Sequence, residues 1–331
     1  MNLLKRSPRT RPTRLFFAAD IHGSEPTFRK FIAAAQFYEA DVLVFGGDLM
    51  GKAIVPIVDQ GSETYKTGFQ GDVREVEGPD ALAALVASIE RAGFYWSVVE
   101  PDEYQTFNDD PAAVERLFVR LARERLAAWI RFAEDRLAGT ATRCFLTGGN
   151  DDTPDVLTVL DEGAGARVLP SEGLVLDLDG RHTMITVGYS TPTPWDTPRE
   201  ANEAEISRMI DASVSMVPDP SRCVFNVHCP PLDSGLDRCV KVDSSTGVPS
   251  RVTVGGQPVY VGGGSRAVRD AISAYQPVVG LHGHIHESPG RITYGRTRCF
   301  NPGSEYGQGV LDGVIVSIRD GQLVGYQHTS G

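Results

Sequence analysis

Short apolar runs that each end in a polar loop recur along the chain. Residues 14–19 (RLFFAA) lead into Asp20, and residues 42–45 (VLVF) lead through two glycines into Asp48. Between them, apolar positions recur at helical spacing after Ser24, which predicts a helix with Ser24 as its N-cap. Strand, helix and strand in this order predict a layered α/β domain whose site lies at the carboxyl ends of the strands.

The segment 51–143 interrupts this alternation. β-branched runs divided by Gly and Asp predict a hairpin or meander at its start. Two helices are predicted after it, one over about 80–92 and one from Asp110, with a proline in its first turn, to Leu137. We interpret the segment as an insertion into one domain that covers residues 14–331. Its role as a cap over the site or as an oligomer contact stays open.

The α/β alternation resumes with an apolar run that begins at Cys144. Strands are predicted at 174–178, 183–188, 223–227 and 278–282, helices at 199–216 and from Ser265, and β-rich segments at 291–300 and 313–328. The pattern predicts that the α/β domain continues to the end of the sequence.

The composition is typical of a globular protein. Of 331 residues, 41% are hydrophobic and 23% are charged, and no apolar run has the length of a membrane span. The basic segment 1–13 is expected to be a disordered, solvated tail, because the apolar run after it is too short for a signal peptide. A net charge of -11 disfavours a nucleic-acid partner and suits a cation site. Five cysteines without a CxxC pair predict reduced thiols and a cytoplasmic protein.

Five loops after apolar runs carry residue types that bind metals. They contain DIH, GGD, GGND, NVHCPP and HGHIH, and the candidate ligands are Asp20, His22, Asp48, Asn150, His228, His284 and His286. In an extended segment residues i and i+2 point the same way, so each DxH or HxH pair can converge on one ion. Mixed Asp, Asn and His ligands suit Mn, Fe or Zn better than Mg or Ca. Seven ligands are too many for one tetrahedral zinc, so two metal ions that share a carboxylate are predicted.

These motifs, in this order, resemble the calcineurin-like metallophosphoesterase superfamily. NPGS at residues 301–304 resembles a loop of its small prokaryotic phosphodiesterase branch, and the resemblance covers about 14–50 and 143 to the end. It implies a four-layer αββα sandwich of the metallo-dependent phosphatase type with two divalent ions, for which Mn, Fe or Zn is expected and Ni or Mg stays open. By matching position, it assigns Asp20, His22 and His286 to one ion, Asn150, His228 and His284 to the other, and Asp48 to both.

One position departs from the superfamily's pattern. Much of the superfamily has a histidine after Gly-Asn that protonates the leaving group or stabilises the transition state, whereas this chain has Asp151. An aspartate is ionised at neutral pH and is therefore a poor general acid. Asp151 is either an outer hydrogen-bond acceptor, or the acid comes from His282 or a water, or the leaving group needs little protonation. Asp151 and His282 are the candidate catalytic residues.

The resemblance implies a phosphodiesterase in which a hydroxide that bridges the two metals attacks phosphorus in line. The alternative is a catalytically weak metal-binding interaction scaffold, because the retromer-subunit branch resembles this fold and departs at the same position. The retained metal ligands favour the enzyme. The expected partner is a small phosphoester, no membrane is involved, and a homo-oligomer stays open. The candidate substrate contacts are Arg266 and Arg269 on a helix after a glycine-rich turn, and Tyr189 and Trp195 in a proline-rich loop.

Overall fold

The structure, a computed structural model, describes residues 11–245, 247 and 249–331, without the side chain of Asn108. Of the tail predicted for residues 1–13, residues 1–10 lie outside the described part of the chain. The predicted end of the tail is wrong, because Thr13 already pairs with Ile318 in the first sheet.

The strands belong to two large sheets, one smaller sheet and several two-stranded ribbons. In chain order they are β1 (Thr13–Ala18), β2 (Val42–Phe45), β3 (Ile54–Asp59), β4 (Thr64–Phe69), β5 (Asp72–Glu77), β6 (Tyr95–Val99), β7 (Arg143–Leu146), β8 (Val168–Pro170), β9 (Leu176–Asp177), β10 (Thr183–Val187), β11 (Cys223–Val227), β12 (Arg238–Val240), β13 (Val242–Asp243), β14 (Ser250–Arg251), β15 (Thr253–Val254), β16 (Gln257–Pro258), β17 (Tyr260–Gly262), β18 (Val279–Leu281), β19 (Gly290–Tyr294), β20 (Thr297–Asn301), β21 (Asp312–Arg319) and β22 (Gln322–Ser330).

The helices alternate with the strands of the two large sheets and also occur in the insertion. They are α1 (Glu25–Phe37), α2 (Gly78–Arg91), α3 (Pro101–Asp109), α4 (Pro111–Leu137), α5 (Pro154–Glu162), α6 (Glu203–Ser215) and α7 (Arg266–Tyr275). Within the described ranges, no helix combines the length and the apolar composition that crossing a membrane requires.

Each large sheet contains parallel strands in its middle. The first sheet has the order β22-β21-β1-β2-β7-β8, and the second has the order β19-β20-β18-β11-β10-β9. In the first sheet β1, β2, β7 and β8 run parallel, and in the second β10, β11, β18 and β20 do. The carboxyl ends of these parallel strands therefore lie together at one edge of each sheet.

The two faces of β1 show how the layers are stacked. Leu15 and Phe17 pack with residues of the second sheet such as Val224, whereas Phe16 and Ala18 on the opposite face pack with residues of α1 and α4. The second sheet buries its other face against α6 and α7. Alternating side chains of buried strands thus fill two separate cores, and the predicted four-layer αββα arrangement is confirmed.

The insertion contains its own sheet, in the order β5-β4-β3-β6. The predicted meander corresponds to β3, β4 and β5, and the two predicted helices are α2 and α4. The sequence did not predict β6, which pairs parallel with β3, or α3. Helix α4 joins the helix layer of the first sheet, because its Trp129 stacks on Phe28 of α1 with ring centroids 4.3 Å apart.

The N-cap predicted at Ser24 is only half right. Ser24 precedes α1, but its side chain makes no capping bond. Its hydroxyl instead donates to the carbonyl of Arg91, at the end of α2, over 2.9 Å. The N-cap predicted at Asp110 is confirmed, because its carboxylate accepts from the Ala112 N–H. Tertiary contact with the insertion has thus replaced the local bond at Ser24.

The contact between Trp129 and Phe28 leads to a stability prediction. We expect Trp129→Ala to lower the free energy of unfolding by about 3–5 kcal/mol, because it leaves a cavity between α1 and α4. Urea titration followed by circular dichroism measures this change. The control is Trp195→Ala, whose side chain is 62% exposed and whose loss is expected within about 0.5 kcal/mol. Equal losses in the two variants would contradict the packing of α4 in the core.

Candidate metal centre

The candidate ligands meet where the carboxyl ends of the two sheets come together. The loops after β1, β2 and β7 in the first sheet and after β11 and β18 in the second sheet supply all of them. The structure brings together Asp20, His22, Asp48, Asn150, His228, His284 and His286.

Several ligand loops have a backbone conformation that is rare for residues other than glycine. The φ angles are 57° at Asp20, 39° at His22, 60° at Asp48 and 69° at His284. Such residues cost of order 1–3 kcal/mol each and persist only where surrounding bonds hold them. The holding bonds run between the loops: Asp20 N–H donates to the Gly47 carbonyl over 2.9 Å, and His22 N–H donates to the Asp48 carbonyl over 3.0 Å.

Two glycines allow these loops to approach each other. A Cβ atom on Gly149 would lie 2.1 Å from Oδ1 of Asp48, and one on Gly283 would lie 2.4 Å from Oδ2 of Asp20. Both distances are far below van der Waals contact, so any larger residue would push the carboxylates away. The glycines in GGND and HGHIH are therefore needed for the close packing of the centre.

The first group of candidate ligands contains Asp20, His22, Asp48 and His286, with ligand atoms within 4.8 Å of one another. The Nε2 atoms of His22 and His286 are 3.1 Å apart. Nε2 of His22 lies 3.6 Å from Oδ2 of Asp48, and Nε2 of His286 lies 3.6 Å from Oδ1 of Asp20. These atoms surround one point, which fits a single ion with oxygen and imidazole ligands.

The second group contains Asp48, His228 and His284, and Asn150 joins it. Nε2 of His228 lies 3.4 Å from Oδ2 of Asp48 and 3.0 Å from Oδ1 of Asn150. Asp48 therefore belongs to both groups. This is the grouping that the resemblance implies, and that each group binds an ion stays a prediction.

Neighbouring bonds orient two of these ligands. The Nδ1–H of His228 donates to the Gly46 carbonyl over 2.9 Å, which directs Nε2 toward the centre. The amide nitrogen of Asn150 donates to Oδ1 of Asp151 over 3.0 Å and to the hydroxyl of Thr197 over 2.9 Å. Its carbonyl oxygen is thereby turned toward His228. Both orientations suit a divalent ion, so the residues fit the metal that the sequence predicts.

The charges of the buried centre are strongly coupled. Burial alone would raise the pKa of Asp48, but His228 and other nearby histidines hold it well below its usual range. Burial alone would lower the pKa of His228, but the Asp48 carboxylate raises it to about 9. Burial lowers the pKa of His284 to about 4. Without a metal, a proton on His228 therefore compensates Asp48, and binding of an ion to Nε2 must release that proton.

Asp152 ties two of the ligand loops together. Its buried carboxylate accepts from the N–H groups of Leu49 (3.0 Å), Met50 (2.6 Å) and Gly149 (2.7 Å). Burial and the negative charge of Asp48 raise its pKa to about 7, against the effect of these three donors. Asp152 thus has a structural role, because it fixes the loop of Asp48 against the loop that begins at Gly149.

Comparison with known proteins supports the fold. No protein-family model and no curated protein matches the chain. The crystal structure of TT1561 of Thermus thermophilus is 12% identical and is matched over 97% of this chain and 99% of that chain, with a TM-score of 0.52. A second crystal structure, 14% identical, is matched over 97% of this chain and 98% of that chain, with a TM-score of 0.56. An archaeal phosphodiesterase is matched at 10% identity over 96% of this chain and 99% of that chain, and its TM-score of 0.37 carries no inference.

The chain has the metallophosphoesterase-type fold. The four layers, the two sheets and the position of the ligand loops agree with the fold that the resemblance implies. At these sequence identities the similarity establishes the fold, and the activity has to be argued from the chemistry of the site.

Within this metallophosphoesterase-type fold, Asp151 lies beside the first ligand group. Its Oδ2 is 3.5 Å from Nδ1 of His22 and 3.3 Å from Nζ of Lys52. Burial and the charge of Asp48 raise the pKa of Asp151, and Lys52 opposes them. Among the three interpretations left open by the sequence, these contacts support the outer hydrogen-bond acceptor.

The catalytic role predicted for His282 finds no support in this geometry and stays a prediction. The side chain is fully buried, and its Nδ1–H donates to the Val227 carbonyl over 2.8 Å. A Cβ atom on Gly280 would lie 2.8 Å from its Nε2. Burial also lowers the pKa of His282 to about 4, so the ring is neutral near pH 7. His282 therefore packs inside the second sheet.

The start of α7, which carries the candidate substrate contacts Arg266 and Arg269, is bound by a carboxylate of the protein itself. The N–H groups of Arg266 and Ala267 donate to the Glu203 carboxylate over 2.8 and 2.9 Å, and the Ser265 hydroxyl donates to it over 2.7 Å. A carboxylate of the protein thus occupies the N-terminus of this helix. Arg269 pairs with Asp270 over 3.1 Å. Substrate contacts by the two arginines stay predictions without support from this geometry.

Tyr189 and Trp195 occupy different environments. The guanidinium of Arg199 lies 4.5 Å from the ring centroid of Tyr189, which gives Tyr189 a packing role. Trp195 is 62% exposed and lies two residues before Thr197, the partner of the Asn150 amide. A substrate contact by Trp195 stays a prediction.

Sequence reasoning missed two residues at the centre. Lys52 contacts Asp151, and the ring of Tyr306 lies with its centroid 4.8 Å from that of His22. Both stand close to motifs, since Lys52 follows Asp48 by four residues and Tyr306 follows the NPGS segment by two. This proximity was the signal that a search limited to metal ligands did not use.

Arg199 supports the loop that contains Asn150. Its side chain is 4% exposed, and it donates to the Gly149 carbonyl over 3.1 Å and to the Glu172 carboxylate. The N–H of Arg199 donates to the Asn150 carbonyl over 3.1 Å. The Arg199–Glu172 pair thus supports the ligand loop through both its backbone and its side chain.

We expect Arg199→Met to lower the free energy of unfolding by about 3 kcal/mol, because it leaves the Glu172 carboxylate without its partner. The control is Arg208→Met, which removes a surface pair whose arginine is 75% exposed and is expected to cost less than about 1 kcal/mol. Urea titration of both variants measures the difference. Similar losses for the two arginines would show that the buried pair does not support the loop.

Proposed function

We propose that the protein is a metal-dependent phosphoester hydrolase that acts on phosphodiesters. The observation that supports this is the presence of two buried ligand groups that share the carboxylate of Asp48. Two divalent ions held there would supply a Lewis acid for a phosphoryl oxygen and would activate a water. Mn, Fe or Zn suits these ligands best.

The residues of this chain fix the geometry of the centre. Asp48 is 2% exposed, and its Oδ1 accepts from the Asp151 N–H over 3.0 Å, which orients the shared carboxylate. Asp20 accepts from the His284 N–H over 2.9 Å, so a residue of the first sheet holds a ligand loop of the second. Asn150 provides a neutral oxygen, which leaves more positive charge at its side of the centre than a carboxylate would. Such preorganised groups stabilise charge that develops during attack on phosphorus.

Asp151 suits substrates with a good leaving group. Its carboxylate is 20% exposed at the edge of the centre. An ionised aspartate is a poor general acid, which favours substrates whose leaving group needs little protonation.

We expect the protein loaded with Mn²⁺ to hydrolyse bis(4-nitrophenyl) phosphate faster than 4-nitrophenyl phosphate. Release of 4-nitrophenolate measures both rates, and treatment with a chelator is expected to abolish them. Asp48→Ala removes the shared ligand and should reduce turnover by at least about 1000-fold, because it disrupts both ligand groups together.

The matched control is Asp135→Asn, a change of one exposed carboxylate on α4 that should leave the rate unchanged. Absence of turnover above Asp48→Ala with Mn, Fe, Zn, Ni and Mg would contradict the proposal. If the unaltered protein bound metal but showed no such turnover, the interaction scaffold would be the better account.

A further inference from the structure

Lys52 reaches the centre because the backbone before it is held in place. Gly51 N–H donates to the Tyr95 hydroxyl over 3.0 Å. A Cβ atom on Gly51 would lie 2.3 Å from the Gly93 carbonyl oxygen, and one on Gly93 would lie 2.2 Å from the His22 carbonyl oxygen. The insertion therefore packs directly against the His22 loop. This packing fixes where the side chain of Lys52 leaves the backbone.

The Asp151 carboxylate lies between the ammonium of Lys52 and the His22 ring. Its Nζ is 3.3 Å from Oδ2 of Asp151, and the same oxygen is 3.5 Å from Nδ1 of His22. Asp151 is itself fixed, because its Oδ1 accepts from the Asn150 amide over 3.0 Å. One side of Asp151 thus contacts the candidate metal ligands, and the other side holds a cation.

The Lys52 side chain remains open to a ligand. It is 49% exposed, and the contact with Asp151 uses one of its three N–H donors. Burial alone would lower the pKa of Lys52, but the charges of Asp151 and Asp48 raise it, so the ammonium stays charged at neutral pH. Free donors on a fixed cation are what recognition of a phosphoryl oxygen requires.

The pairing also explains the aspartate in the GGND motif. A carboxylate beside a phosphoester would repel it, whereas a carboxylate that carries an ammonium presents a donor at the same place. We propose that Lys52, positioned by Asp151, binds the phosphoryl group of the substrate where the resembling superfamily uses a histidine. The inference deepens the proposed function and rests on it. Lys52 contacts the substrate oxygen by charge and hydrogen bonding, and Asp151 is a positioning residue.

Binding of inorganic phosphate to the Mn²⁺-loaded full chain tests this role without turnover. We expect Lys52→Met to weaken phosphate binding, measured by titration calorimetry, by about 10- to 100-fold, because it removes a hydrogen bond from a charged donor. Lys52→Arg keeps the charge and should bind phosphate within about threefold of the unaltered protein. Asp151→Asn should bind phosphate more weakly than the unaltered protein, because the Lys52 ammonium loses the partner that fixes its position.

The metal content of every variant is measured alongside and should not change. The matched control is Lys66→Met, which removes an exposed lysine on β4 of the same insertion and should bind phosphate normally. If Lys52→Met does not fold, Lys52→Gln is measured in its place. Equal phosphate affinity in Lys52→Met and the unaltered protein overturns the role of Lys52, even if the unaltered protein hydrolyses bis(4-nitrophenyl) phosphate. If the unaltered protein shows neither phosphate binding nor hydrolysis, both proposals are overturned.

Discussion

A charged carboxylate at a buried position is the constraint on which the rest of the centre depends. Asp48 is 2% exposed, and an unpaired charge at such a place costs several kcal/mol. Imidazole nitrogens of His22 and His228 lie within 3.6 and 3.4 Å of its Oδ2. The protein offsets the cost with a raised pKa at His228, and a divalent cation would offset it better. The buried charge of Asp48 therefore requires a positive charge beside it, which the expected metal would supply.

The architecture follows from the need to bring ligands from two sheets to that carboxylate. Asp20 of the first sheet accepts from the backbone of His284 in the second, and His228 of the second sheet donates to the Gly46 carbonyl of the first. These bonds cross the layer boundary at the carboxyl ends of the strands and hold residues with strained φ angles. The insertion adds a further support, because Gly93 packs on the His22 loop and Arg125 donates to the Gly23 carbonyl over 3.0 Å.

The sequence predicted those parts of the fold in which local pattern and burial agree. Strand β11 was predicted with its observed bounds, since all its residues are buried and four of the five are apolar. Helix α3 was missed because none of its described side chains is buried, so it has no apolar stripe. Lys52 was missed for a different reason: it lies close to Asp48 in the sequence, but its contact with Asp151 depends on packing between distant segments. The surroundings of His282 and of the start of α7 were not predicted for the same reason, because Val227 and Glu203 reach them only in the folded chain.

The central claim is that Asp48 is shared by two metal ions. A crystal structure of the Mn²⁺-loaded protein, with anomalous scattering recorded at the manganese edge, tests it most directly. The account predicts two peaks about 3.5–4 Å apart with the Asp48 carboxylate between them. The peak on the side of Asp20 should also contact His286, and the other should contact Asn150 and His228. A single peak, or two peaks that do not share Asp48, would contradict it.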